Sequence, residues 1–68
     1  MAGNDVYPIL RYFAFNHLPD RLGEVSRPFS DLAYELADRL PRNAETSTAL
    51  RKLLEAKDAA VRSALDAT

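Results

Sequence analysis

The stretch Asp20-Arg21-Leu22-Gly23-Glu24-Val25-Ser26-Arg27-Pro28-Phe29-Ser30-Asp31-Leu32-Ala33-Tyr34-Glu35-Leu36-Ala37-Asp38-Arg39-Leu40 decides the fold class. Leu22, Val25, Phe29, Leu32, Leu36 and Leu40 recur at steps of three or four, with Ala33 and Ala37 beside them. That spacing is the period of an amphipathic helix. Pro28 interrupts it. A proline inside a helix removes one backbone hydrogen bond and clashes with the carbonyl four residues back, and Gly23 weakens the same stretch. The helix therefore either kinks at Pro28 or restarts there with Ser26 as cap, and the unbroken stripe favours the kink.

The chain continues through Pro41-Arg42-Asn43, which ends this helix, and Asn43 is a good cap for another. Leu50, Leu53, Leu54, Ala60, Val61, Ala64 and Leu65 form a second stripe. So short a connection leaves the two helices only an antiparallel arrangement. Glu35 with Arg39, and Asp58 with Arg62, are spaced to pair along exposed faces. On the N-terminal side, Pro19 biases Leu18 away from helical geometry, so residues 14–18 read as a connector. Before it, a short helix carries Ile9, Leu10 and Phe13, with Pro8 tolerated in its first turn and Asn4 or Asp5 as cap. Residues 1–4 and 66–68 read as frayed ends. The expectation is an all-α single domain: an N-terminal helix and connector over 1–18, a long helix over 19–40 and another over 43–66, forming an antiparallel hairpin.

A chain of 68 residues buries only roughly 60% of the surface its unfolded form exposes. Domains of this size usually need disulfides, a metal or oligomerisation. Cysteine is absent and histidine occurs once, so a disulfide or a zinc site is not available. A homo-oligomer is expected instead. The net charge of -1 lacks the basic footprint of a general DNA or RNA binder, and acidic residues on the last helix (Glu55, Asp58) argue against a DNA-binding helix-turn-helix. No apolar run reaches the ~18 residues of a transmembrane helix and the start lacks a signal-peptide pattern, so a cytoplasmic location is expected.

Four of the six aromatics lie between residues 7 and 15: Tyr7, Tyr12, Phe13 and Phe15. Most such residues plug the open end of a helical hairpin, but the segment is too short to bury all four. One left exposed would stack a base, worth ~1–3 kcal/mol. Lys57 falls in the middle of the last stripe, where a packed stem with its ammonium reaching water is the plainer reading. With the turn centred on 42–43, however, Lys57 stands opposite residue 28, level with Arg27. Two cations beside aromatic rings suit a ligand carrying phosphates and bases. His17 follows in the connector, where a histidine is usually solvated but can hydrogen-bond a base or phosphate. Ser26, Ser30, Ser47 and Ser63 share one histidine with nothing to orient it. Neither a glycine-rich phosphate loop nor an HExxH spacing occurs. A binder or assembly unit without a cofactor is expected, not an enzyme.

Arg11-Tyr12-Phe13-Ala14-Phe15-Asn16-His17, Phe29-Ser30-Asp31-Leu32-Ala33 and Ala49-Leu50-Arg51-Lys52-Leu53-Leu54-Glu55-Ala56 resemble segments of the small phage proteins that sequester the cyclic oligonucleotide signals of CBASS antiviral immunity. Their helical hairpin is shared with the phage anti-Thoeris sponge. The likeness runs from about residue 11 to 65. It implies a hexamer that binds cyclic dinucleotides between the N-terminal parts of two protomers, in some members also cyclic trinucleotides where three protomers meet, and that does not cleave them. The family's stacking tyrosine falls on Phe15, assisted by Tyr12 or His17. Its cationic partner falls on Ser26 or Arg27, with Arg27 preferred, and Lys57 is a further candidate for the phosphates. The family's basic residue near the end of the last helix has no match at Asp66 or Ala67, which leaves a trinucleotide site without its cation. The rival expectation is a helical oligomerisation or adaptor module with no small-molecule ligand.

Overall fold

The structure, a computed structural model, describes residues 7–66. A 3-10 helix over Pro8–Phe13 leads to two α-helices, α1 (Asp20–Arg39) and α2 (Ala44–Asp66). The helices pack on each other as a hairpin, and the 3-10 helix touches both. The long dimension of 39 Å is somewhat more than the ~35 Å that the 23 residues of α2 span at about 1.5 Å per residue. The expected caps Asn4 and Asp5 and the frayed ends at 1–4 and 67–68 lie outside the described residues; Asp66 is the last residue of α2.

The hairpin turn is held by side chains as the sequence suggests. Asn43 accepts a hydrogen bond from the Thr46 backbone N–H on its Oδ1 at 2.9 Å, a regular N-cap. The buried Thr46 hydroxyl donates to the Pro41 carbonyl at 2.7 Å, tying the end of α1 to the first turn of α2. At the open end, the Arg21 guanidinium donates to the Ala64 carbonyl at 3.0 Å. That pairing fits a register centred on 42–43. Pro28 lies inside an uninterrupted α1, so no restart occurs at Ser26.

The buried face of α1 differs from the expected stripe. It is Leu22, Gly23, Ser26, Ser30, Ala33 and Ala37, whereas Leu32 and Leu40 are 42% and 38% exposed. The reason is the N-terminal segment. Tyr7, Leu10 and Phe13 supply the bulk of the core, and they need small residues opposite them. They pack with Ala33, Ala37 and Leu50, while Ile9, Phe29, Leu36, Leu53 and Leu54 close the sides. Phe13 and Leu50 are fully buried. Tyr7, Leu10 and Phe13 therefore fill the groove over the turn-proximal half of the hairpin, and Phe13 does not plug its open end. Of the two expected ion pairs, Arg39–Glu35 forms at 2.7 Å. Asp58 pairs with the adjacent Lys57 instead of Arg62. No described helix is long and apolar enough to cross a membrane.

Candidate functional site

After the 3-10 helix the chain turns sharply. The Leu18 backbone N–H donates to the Phe15 carbonyl at 3.0 Å, closing a turn over Phe15, Asn16, His17 and Leu18. Pro19 then starts α1, its carbonyl accepting from the Gly23 N–H at 2.8 Å. The turn lays Phe15 across the first turns of the helix. A Cβ built on Gly23 would stand 3.5 Å from the Phe15 carbonyl oxygen and 3.9 Å from its ring, in ordinary van der Waals contact, so the Phe15 backbone and ring lie close against this position of the helix.

Between this turn and α1 lies a cavity of about 280 Å³, lined by Phe15, Asn16, Leu18, Asp20, Gly23, Glu24 and Arg27. Its helical wall follows from spacing alone: positions 20, 23, 24 and 27 share one face of two consecutive turns. Phe15 is half-buried and lines the cavity. Among the described residues Arg27 is held only by Asp31, 4.0 Å away, with both side chains about 70% exposed (68% and 72%). So exposed a contact contributes almost nothing, and the guanidinium is available to a ligand.

Phe15 and Arg27, to which the resemblance gives the stacking and cationic roles, thus share one cavity. The other candidates fall elsewhere. Ser26 is fully buried with its hydroxyl unpartnered among the described residues, so of the two adjacent positions only Arg27 reaches a ligand. Lys57 packs its stem on the hairpin, its side chain 12% exposed, and its ammonium meets Asp58 at 3.0 Å; it does not line the cavity. Tyr12 is exposed, with the Arg11 guanidinium 5.4 Å from its ring centroid, and lies outside the cavity. His17 is exposed in the turn and also outside it. Sequence reasoning misses Gly23, and it misses Asp20 and Glu24, whose carboxylates read as part of a solvated helix face. Their spacing with Arg27 is the available signal.

No protein-family model, curated protein or solved structure matches this chain. The chemistry of the cavity therefore rests on its own side chains. An aromatic face, an exposed guanidinium, a side-chain amide and two carboxylates can stack a ring, neutralise an anion and hydrogen-bond a heterocycle. Among the described residues no cluster of histidine and carboxylates stands ready to hold a metal ion.

Proposed function

We propose that this protein binds and sequesters cyclic oligonucleotide immune signals, cyclic dinucleotides foremost, without cleaving them, as a phage anti-defence protein in the cytoplasm of the infected bacterium. The observation that carries this reading is the convergence of Phe15 and Arg27 on one cavity. Phe15 stacks a base and Arg27 neutralises a phosphate. A cavity of about 280 Å³ is at the small end of ligand pockets, which accords with a site completed by a second protomer. The exposed apolar side chains Leu32, Tyr34, Leu40 and Leu65 support a homo-oligomer, with a hexamer as the expected size.

The same exposed side chains favour a second reading, an oligomerisation or adaptor module without a small ligand. Calorimetry against cyclic GMP-AMP, cyclic di-AMP, cyclic tri-AMP and cyclic ADP-ribose isomers separates the two, with ligand recovered after denaturation. Tight binding of a cyclic nucleotide with intact recovery supports the sponge, and Phe15→Ala should then lose binding while keeping assembly. No binding to any of them, with Phe15→Ala disrupting assembly, supports the module.

A further inference from the structure

The candidate cavity places two carboxylates, Asp20 and Glu24, beside one guanidinium. A site that only neutralised phosphates would not be built this way, because carboxylates repel them. Each carboxylate therefore needs an occupation. Asp20 has one in the fold: it stands in the first turn of α1, where a negative charge complements the helix dipole. Glu24 has none. It is exposed, forms no ion pair or hydrogen bond among the described residues, and lies next to Gly23, over which Phe15 is laid. Its backbone carbonyl is also short of a donor, since Pro28 has no N–H to return to it.

An ionised carboxylate is acceptor-only. Beside a stacked base it pairs with an edge that offers two donors side by side. Guanine does so through N1–H and the 2-amino group. Adenine presents its 6-amino group next to a ring-nitrogen lone pair, which faces a carboxylate oxygen unfavourably. We propose that this cavity selects guanine: Phe15 stacks the base, Glu24 accepts its N1–H and 2-amino hydrogens, and Arg27 meets the phosphate. This deepens the sponge reading and rests on it. The ligand class it names is a guanine-containing cyclic dinucleotide.

The test measures binding of cyclic di-GMP and cyclic di-AMP to the full chain, to Glu24→Gln and to Arg27→Ala. Circular dichroism checks that each variant keeps its helix content. Wild type should prefer cyclic di-GMP on the order of tenfold or more, the discrimination expected of one bidentate base contact. Glu24→Gln should weaken cyclic di-GMP while leaving cyclic di-AMP unchanged or tighter. Arg27→Ala should weaken both and leave their ratio in place. If Glu24→Gln tightens both ligands, Glu24 merely repels phosphate and the guanine assignment is overturned while the sponge stands. Equal wild-type affinities for the two ligands overturn the guanine assignment in the same way. If neither ligand nor any other cyclic nucleotide binds, the sponge reading falls and the guanine assignment with it.

Discussion

Ser26→Ala should make this protein more stable. The Ser26 side chain is fully buried in the middle of α1, and its hydroxyl has no hydrogen-bond partner among the described residues. A buried, unsatisfied polar group costs roughly 1–3 kcal/mol, and alanine is the better helix former by roughly 0.5 kcal/mol. Against this stands the loss of one packed heavy atom, with a small void that the neighbouring Gly23 and Ser30 do little to fill. The net expectation is a gain of about 1–2 kcal/mol, or about 5–15 °C in melting temperature for a domain of this size. Thermal and urea denaturation followed by circular dichroism would measure it, at several protein concentrations so that any assembly equilibrium is separated from folding. A loss of stability would refute the reasoning, because it would mean that the hydroxyl has a partner. On the proposed reading, the same variant should keep the wild-type affinity for cyclic dinucleotides, since Ser26 does not line the cavity.

Other substitutions test other parts of the argument. Phe13→Ala removes a fully buried ring and should cost about 3–5 kcal/mol; this is a large part of the stability a small domain has, so its circular dichroism should show a largely unfolded chain at room temperature. Asn43→Ala removes the cap on Thr46 and should cost about 1 kcal/mol, seen as a lower denaturation midpoint with an unchanged slope. Arg39→Ala breaks an exposed pair and should shift stability by less than about 1 kcal/mol in the same assay. Tyr12→Ala, at a residue outside the cavity, should leave calorimetric ligand affinity intact where Phe15→Ala abolishes it.

The hairpin is legible in the sequence because its signals are local. Asn43 stands where a cap must, Pro41 where a helix ends, and the leucines of α2 recur at helical spacing. The buried face of α1 is not legible, because burial there is decided by residues far away in the chain. Hydrophobicity favours Leu32 and Leu40 over Ser30 and Ala33. Yet the side chains of Tyr7, Leu10 and Phe13 occupy the groove, and a groove already filled from one side leaves room only for small residues on the other. The candidate site divides in the same way. Arg27 can be named from register and Phe15 from the resemblance, and both line one cavity. Lys57 cannot be placed by register alone, because whether an ammonium turns toward a cavity or toward its neighbour Asp58 depends on side-chain torsions. Asp20 and Glu24 look like any exposed helix face until the turn at residues 15–18 is laid against them.

The hydrogen bond from Arg21 to Ala64 gives the open end of the hairpin a mechanical property. Arg21 sits between Asp20 and Leu22 on the same first turn that walls the cavity, but its guanidinium grips the far end of α2. The two chain segments are clasped there, away from the main core. Any ligand that steadies the first turn of α1 also steadies the clasp, and any strain that opens the clasp loosens the cavity wall. The end of α2 is thus the place to look for an effect of occupancy. In amide hydrogen exchange, filling the cavity should slow the last turn of α2, at positions that no ligand in the cavity touches.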